Sequence, residues 1–212
     1  MLKIKNLSYG YTKCPSKHLV RNLNFSVENG KIQLIYGKSG LGKSTLLKLI
    51  SGVGCEKVFW NGKITFENKD ISYQPIENRK IGFLMQDRLL FPHLNVFENL
   101  LFVIPKLLTN KKNIINELLE KTSMNDLAKL YPYQLSGGQA TRIACIRTFL
   151  SFPKAVLLDE PFASLDIKTK ISFKKFVVKE IKSRNIPCIL ISHDKSDYKI
   201  SDYVAINLKN HN

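Results

Sequence analysis

The chain has 212 residues and a formal net charge of +16, from 33 lysines and arginines against 17 aspartates and glutamates. Its hydrophobic fraction of 44% and charged fraction of 24% are typical of a globular protein with a sizeable core. No window approaches about 18 uninterrupted apolar residues, which excludes a spanning helix, and the opening LKIKNLSYG lacks the continuous apolar core of a signal peptide.

The N-terminal part of the chain contains strand-like segments around one glycine-rich turn. Strand patterns occupy LKIKNL and LNFSV, and after the turn Glu28-Asn29-Gly30 the β-rich run KIQLIY stops at Gly37. The segment STLLKLISG then has helical spacing and ends at Gly52. KVFWNGKITFEN is again strand-like, and its Asn61-Gly62 pair is typical of a hairpin turn. We expect the N-terminal strands to form an antiparallel addition to the main sheet.

The rest of the chain alternates helical and strand patterns. An amphipathic helical pattern extends from Asn95 to about Leu130, with Pro105 and Pro132 as interruptions. The apolar runs AVLLD and PCILIS are typical of buried strands, the basic segment DIKTKISFKKFVVKEIKSRN between them favours a helix, and YVAINL closes the chain. This alternation predicts an α/β fold with a largely parallel sheet and an inserted helical subdomain.

The stretch GKSGLGKSTLL has the form of a phosphate-binding loop. Gly37, Gly42, Lys43 and Ser44 fit the pattern G-x-x-x-x-G-K-[ST], with a strand before the loop and a helix after it. Glycines let successive backbone N–H groups point inward, and the N-terminus of the following helix adds positive potential. Lys43 would supply a charge to the β- and γ-phosphates, and the Ser44 hydroxyl would ligate Mg²⁺. The loop therefore predicts nucleotide binding.

The run AVLLDEP presents two acids at the end of a buried strand. In an open α/β sheet, ligands bind outside the carboxyl ends of the strands, so Asp159 is placed to hold Mg²⁺ through water. Glu160, the next residue, is placed to polarise an attacking water as a general base. The alternative is an acid that only caps a helix after a core strand.

The segment YPYQLSGGQATR places a second glycine-rich anion site before a helical run. Ser136, Gly137 and Gly138 stand at the start of that helix. One nucleotide does not need two phosphate sites far apart in sequence. Either a single fold brings the two sites together, or a head-to-tail dimer gives each of them one side of the same phosphate tail.

With these motifs in order, the sequence resembles the ATP-binding cassette (ABC) ATPases along essentially its whole length. LSGGQ resembles their signature, and the loop from residue 37 to residue 45 resembles their Walker A segment. The resemblance implies a P-loop NTPase core with a mostly parallel sheet, an N-terminal antiparallel β subdomain and a helical subdomain at about 88–150. It implies ATP and Mg²⁺ as cofactors and ATP hydrolysis as the activity. It assigns nucleotide contacts in the first loop to Gly37, Lys38, Ser39, Gly40, Leu41, Gly42, Lys43, Ser44 and Thr45.

The resemblance implies further roles by position. Tyr11 corresponds to the aromatic residue that stacks on adenine, with Tyr9 as a competitor because the loop that follows is lengthened. Gln86 corresponds to the glutamine that contacts Mg²⁺ and the attacking water, and His193 to the switch histidine. The contact with the γ-phosphate of the opposite protomer falls to Ser136, Gly137, Gly138 and Gln139, and Asp166 corresponds to the D-loop aspartate among the nucleotide-binding residues. Two departures are Ala163 in place of the D-loop serine and Ala140 after the signature.

The segment FPHLNVFENLLF resembles the part of bacterial uptake ATPases that receives a helix of the membrane permease. Phe91, Leu94, Phe97 and Leu101 form an apolar stripe at helical spacing. The alternative is core packing within the helical subdomain, whereas exposure of Phe91 and Leu94 would mark a docking groove.

Together these features predict the ATPase subunit of an uptake transporter. We expect a second ATPase subunit, a separate transmembrane permease and, through the permease, a solute-binding protein as partners, at the cytoplasmic face of the inner membrane. We expect one domain over 1–212 with no C-terminal regulatory domain, and four reduced cysteines, since no pair has metal-site spacing.

Two alternatives stay open. One is a soluble ABC-type ATPase acting on ribosomes or DNA, and the other is an export or envelope-remodelling ATPase. Against the first, there is only one cassette, and Lys43 and Ser136 are only 93 positions apart, which leaves no room for a long coiled coil. The lysines are spread along the chain, so a solvated basic surface explains the charge and no nucleic-acid partner is expected.

Overall fold

Two β-sheets form the centre of the computed structural model, which describes residues 1–12, 18–54 and 56–211. The antiparallel sheet has the order β2-β1-β4-β5, with bounds β1 Leu2–Tyr11, β2 His18–Val27, β4 Val58–Phe66 and β5 Lys69–Asp70. The parallel sheet has the order β6-β7-β8-β3-β9, with bounds β3 Ile32–Tyr36, β6 Ile81–Leu84, β7 Ala155–Asp159, β8 Cys188–Ile191 and β9 Ile206–Asn207. The predicted α/β core with an antiparallel N-terminal addition is confirmed.

The helices cover both faces of the parallel sheet. Their bounds are α1 Lys43–Ser51, α2 Ile76–Arg79, α3 Val96–Val103, α4 Lys111–Lys121, α5 Gly137–Leu150 and α6 Ile167–Arg184. In β7, Val156 and Leu158 pack into a core with helices α3 to α6. Ala155 and Leu157 pack on the other face with α1 and the antiparallel sheet. Because strand side chains alternate, a continuous apolar run such as AVLLD supplies both cores.

The hairpin predicted at Asn61-Gly62 is wrong. Both residues lie inside β4, which pairs with β1 along its whole length. The register of β1 shifts between Lys5 and Ser8, and Asn6 has φ 49°. A Cβ on Gly62 would lie 2.7 Å from the Asn6 carbonyl oxygen, so this glycine permits a close approach of two strands at a bulge. The pair marks an irregularity in the partner strand, not a turn.

A buried arginine that the sequence analysis did not single out fixes the end of α1. Arg79 is 6% exposed and donates to the backbone carbonyls of Leu49, Ile50, Ser72 and Gln74. The first two belong to the last turn of α1, whose carbonyls have no partners within the helix. The arginine thus attaches the helix of the phosphate-binding loop to the segment that follows β5.

The cysteines and the hydropathy of the helices complete the description. Cys145 and Cys188 are buried free thiols, which agrees with the prediction for these two, while Cys14 and Cys55 lie outside the described residues. Within the described part of the chain, no helix combines the length and the apolar character that crossing a bilayer requires. The predicted closing strand YVAINL is shorter than expected, since only Ile206–Asn207 pairs, beside β3.

Candidate nucleotide-binding site

The loop between β3 and α1 has the backbone that its glycines predict. Gly37, Gly40 and Gly42 have φ of 145°, 82° and 84°, a region that L side chains rarely adopt. Gly42 precedes α1 without any side-chain cap, so the first N–H groups of that helix are left for a ligand. The buried Tyr9 donates its hydroxyl to the Gly42 carbonyl at 2.9 Å. The loop is therefore held by Tyr9 on its buried side, and the N–H groups at the start of α1 stay free of side-chain partners.

Lys43 is held against this loop. Its side chain is buried, and Nζ donates to the carbonyls of Gly37 and Lys38 at 2.8 and 2.9 Å. Burial lowers the pKa of Lys43, while the negative charges of Glu160 and Asp159 oppose that effect. The Lys43 ammonium group thus lies between the loop carbonyls and the carboxylates of Asp159 and Glu160. A bound phosphate would replace the carbonyl hydrogen bonds by stronger hydrogen bonds to charged oxygens.

A cleft of about 340 Å³ brings most of the predicted site residues together. It is lined by Tyr11, Ser39, Gly40, Gly42, Lys43, Ser44, Thr45, Gln86, Glu160 and His193. Tyr11 is 49% exposed and its hydroxyl lies 3.4 Å from that of Thr45, whereas Tyr9 is wholly buried and cannot stack on a base. Gly37, Lys38 and Leu41 line an adjoining cavity that also includes His193.

The acidic side of the cleft lies where β7 and β8 end. Asp159 is the last residue of β7, and burial raises the pKa of its carboxyl group, although a hydrogen bond from Ser44 opposes the rise. Glu160 follows with φ 52°, and its Oε1 lies 2.7 Å from Nε2 of His193. The structure therefore pairs the two residues predicted as general base and switch.

The donor groups at this point suit a hard divalent cation. The Ser44 hydroxyl is hydrogen-bonded to the Asp159 carboxylate, and the Gln86 amide lies in the same cleft. Oxygen donors of this kind suit Mg²⁺, which keeps several waters and shares substrate phosphates. In the described ranges no group of three or more His, Cys, Asp or Glu side chains could hold a metal ion. The residues present fit Mg²⁺ brought in with a phosphate chain.

The signature residues form a second, separate helix start. Ser136 caps α5 in a capping box, in which its Oγ accepts from the Gln139 N–H and its N–H donates to Gln139 Oε1. A Cβ on Gly138 would lie 2.9 Å from the Ser164 carbonyl oxygen, so only glycine fits beside the D-loop. None of residues 136–139 lines the cleft around Lys43. The single chain does not bring its two anion sites together.

Asp166 also has a role within its own chain. Its Oδ1 accepts from the Thr169 N–H at 3.0 Å, which caps α6, and hydrogen bonds from the Thr169 side chain and N–H lower the pKa of the carboxyl group. It does not line the cleft. The preference of Asp for the position just before a helix is the signal that could have found this contact.

Two arginines that the sequence analysis missed connect the glutamine segment to the signature helix. Arg88 Nε donates to Thr141 Oγ1 at 2.8 Å, and Thr141 donates to the Gly137 carbonyl. Arg147 Nη2 donates to the Arg88 carbonyl at 3.0 Å. No periodicity in the sequence signals these pairs, because they join residues more than 50 positions apart.

The segment after Gln86 borders an apolar groove of about 670 Å³. Its lining includes Leu89, Phe91 and Phe102, of which Leu89 and Phe102 are 59% and 67% exposed. Phe91 and Leu94 are half-buried, and Phe97 and Leu101 pack against the main core. The apolar stripe therefore divides: Phe91 faces the groove, and Phe97 and Leu101 serve packing.

A buried amide holds that segment in place. Asn99 of α3 is wholly buried, and its Nδ2 donates to the carbonyls of Phe91, Leu94 and Asn95. Its Oδ1 accepts from the Phe91 N–H at 2.8 Å. With every polar atom of the amide bonded, the loop that carries Phe91 has one defined shape.

Comparison with known proteins agrees with this geometry. The family model described as ABC transporter matches residues 20–163. An Escherichia coli K12 protein named ABC transporter ATP-binding protein YnjD is 37% identical over 199 residues, covering 93% of this chain and 90% of that protein. A sulfate/thiosulfate import ATP-binding protein, CysA, of Neisseria meningitidis serogroup A is 38% identical over 197 residues. That alignment covers 89% of this chain and 54% of the relative, so the chain spans about half the length of CysA.

Solved structures give the same result. The dimeric structure of MJ0796, titled a bacterial ABC transporter cassette, superposes with a TM-score of 0.85 at 26% identity and covers 98% of this chain and 94% of that one. A post-hydrolysis state of the same cassette, bound to ADP and Pi, gives a TM-score of 0.84. The chain therefore belongs to the ABC transporter family, as an ATP-binding subunit with ATPase activity.

Proposed function

We propose that two copies of this chain close head to tail around two ATP molecules. Each triphosphate then lies between the loop at residues 37–45 of one copy and the signature at 136–139 of the other. The observation that supports this most is the separation of the two helix starts, since the signature does not line the cleft of its own chain. The MJ0796 cassette, a neighbour in structure, has been solved as a dimer.

The proposed roles follow from the contacts in the cleft. Lys43 and the N–H groups at the start of α1 bind the phosphates, and Tyr11 stacks on the base. Ser44, Asp159 and Gln86 would hold Mg²⁺, partly through water, and the ion would neutralise charge on the phosphates.

The hydrolytic roles go to a pair that the structure already joins. Glu160 takes the proton of the attacking water as general base. His193 orients Glu160 through the 2.7 Å contact between its Nε2 and Glu160 Oε1. Glu160, His193 and Gln86 line one cleft, so loss of the γ-phosphate would change the surroundings of Gln86. Arg88, two residues later, hydrogen-bonds Thr141 of the signature helix and connects that change to α5.

We further propose that the hydrolysis drives uptake through a separate membrane permease on the cytoplasmic face of the inner membrane. The groove with Leu89, Phe91 and Phe102 offers an apolar docking surface for a permease helix, directly after Gln86. The CysA relatives are named as import proteins, which favours uptake, with a solute-binding protein acting through the permease. The cassette itself is proposed as one domain, with its helical subdomain at about 88–150.

Replacing the general base tests the ATPase site. Glu160→Gln keeps the shape of the side chain but removes the proton acceptor, so turnover should fall by about 10²- to 10⁴-fold. ATP should then accumulate in a stable dimer. Phosphate release and light scattering with MgATP measure the two effects. Glu120→Gln, at an exposed position on α4, is the control and should behave like the unmodified protein. Equal turnover of the Glu160 variant would refute the assignment.

A pull-down tests the transport proposal separately. Tagged Glu160→Gln protein, with MgATP, should recover a multi-spanning permease from detergent-solubilised native membranes. Adding Phe102→Asp should abolish the recovery, whereas Val204→Asp, at a position 91% exposed, should not. Recovery of ribosomal or DNA-associated proteins without a membrane protein would favour the soluble ABC-type ATPase instead.

A further inference from the structure

The loop that carries His193 is folded around a buried carboxylate. It follows β8 and ends in a 3-10 turn, Lys195–Ile200. Asp197 is wholly buried and accepts a hydrogen bond from the hydroxyl of Ser192. The Asp194 N–H donates to the same Ser192 oxygen at 3.1 Å, and Asp194 Oδ1 accepts from the Ser196 N–H at 2.7 Å. The residues on both sides of His193 are thus fixed by polar contacts.

Two lysines of α6 supply the positive charges for this loop. Lys170 forms an ion pair with Asp194, and Lys174, one turn later, forms one with Asp197. Only 17% of the Lys170 side chain and 12% of the Lys174 side chain are exposed. Lys174 also donates to Ser196 Oγ at 2.9 Å. Residues four apart lie on one helix face, so both lysines point at the same loop.

The buried pair makes the loop dependent on α6. A carboxylate without solvent, such as that of Asp197, is strongly unfavourable unless a counter-charge and hydrogen bonds compensate it. Here the compensation comes from Lys174 on another element and from Ser192. The Lys174 ammonium also lies 5.7 Å from the ring centroid of Phe162, two residues after Glu160. One helix therefore contacts the segments that carry both members of the Glu160–His193 pair.

We propose that Lys170 and Lys174 are positioning residues that set the imidazole of His193 against the carboxylate of Glu160. They do not touch the cleft, and they act through Asp194 and Asp197. The proposal rests on the proposed role of His193 in hydrolysis. It also connects His193 with Asp166, because the same helix begins at that D-loop residue. A shift of α6 on dimer closure would therefore move the loop that carries His193, through Asp194 and Asp197.

The test uses Lys170→Met, which keeps the aliphatic chain and removes the charge from the less buried of the two pairs. Lys175→Met, exposed on the same helix, is the matched control. Steady-state ATP hydrolysis and nucleotide titration are measured in the unmodified protein and in a His193→Ala background. A displaced imidazole should lower kcat by about tenfold, because small misplacements of catalytic groups have effects of that order. KM and nucleotide affinity should not change.

Non-additivity separates positioning from a loss of stability. In the His193→Ala background, Lys170→Met should not lower kcat further, whereas its effect on the melting temperature should be the same in both backgrounds. Lys170→Arg should restore kcat. A Lys174→Met, Asp197→Leu double variant, which leaves no unpaired buried charge, should show the same pattern as Lys170→Met.

The outcomes distinguish the two proposals. If His193→Ala lowers kcat and Lys170→Met does not, or if their effects on kcat multiply, positioning is refuted and the ATPase site stands. If His193→Ala leaves kcat unchanged, the catalytic role of His193 fails, and positioning fails with it.

Discussion

The two glycine-rich helix starts of this chain differ in how their backbone groups are satisfied. At α1 the residue before the helix is Gly42, in a left-handed conformation and without any side-chain cap. At α5 the corresponding residue is Ser136, and its capping box with Gln139 satisfies the N–H groups of Ser136 and Gln139. Both sequences are typical of anion sites, but a side chain already satisfies part of the N-terminus of α5, whereas no side chain caps α1.

The difference indicates what each site can do alone. The open end at α1 is already surrounded by Lys43, Ser44 and the acids of β7, so a single chain can bind a nucleotide there. The capped end at α5 has two of its N–H groups satisfied without a ligand, and Gly138 allows a close approach of the D-loop. It is suited to meet a phosphate that another copy of the chain presents. In the proposed dimer, the first site binds the nucleotide and the second completes the site of the other copy.

The largest effect should follow from removing the charge at the open end. Lys43→Ala deletes a buried cation and its ionic hydrogen bonds to phosphate, each of about 1.5–3 kcal/mol. We expect ADP and ATP to bind the single chain about 100-fold more weakly. Calorimetric titration measures this, and Lys48→Ala on the same helix, outside the cleft, is the control. Unchanged nucleotide affinity would mean that the uncapped start of α1 does not bind the phosphates, and the contrast with α5 would fail.

A smaller effect should follow at the capped end. Gly138→Ala places a Cβ 2.9 Å from the Ser164 carbonyl, which is backbone and cannot move aside cheaply. Hydrolysis should fall by about tenfold through the displaced D-loop, while nucleotide binding by the single chain stays the same. Gly137→Ala should lower the melting temperature less than Gly138→Ala does. A Cβ at residue 137 would meet only the end of the Arg88 side chain, at 3.2 Å. Weaker binding by the single chain would show that α5 contributes to its own cleft.

The same contrast explains which parts of the molecule the sequence could predict. Residues 37–45 and 136–139 were identified because local glycine geometry and helix starts need particular residue types at fixed spacing. The buried strand AVLLD was predicted correctly for a similar reason, since a strand buried on both faces must be apolar throughout. Such features are local, and one short segment contains all of their signal.

The remainder depends on contacts between distant segments. Arg79 and Asn99 look like ordinary surface residues in the sequence, and only the fold shows that they satisfy backbone carbonyls of other segments. The Asn61-Gly62 pair was misassigned because the bulge that needs Gly62 lies in another strand. Local patterns contain no information about such partners.

The smallest expected effect distinguishes the two ends by stability. Asp159 stands buried beside the open loop, and burial raises the pKa of its carboxyl group above the ordinary value of 3.8. The folded state therefore binds a proton more readily than the unfolded state, and stability falls as pH rises through the interval above 3.8. Asp159→Asn removes the unfavourable burial of a charged carboxylate and keeps an oxygen that can accept a hydrogen bond from Ser44. It should raise the melting temperature of the nucleotide-free protein by a few degrees at neutral pH.

The pH dependence makes this last prediction specific. The gain from Asp159→Asn should be present at neutral pH and should disappear as the pH falls below 3.8, where the carboxyl group is protonated in both states. Thermal denaturation across that range measures it, and Asp126→Asn, at an exposed position, should show no gain. The same Asp159 variant should lose hydrolysis, because a neutral amide holds Mg²⁺ poorly. A gain that persists in acid would mean that shape, and not charge, destabilises the open end.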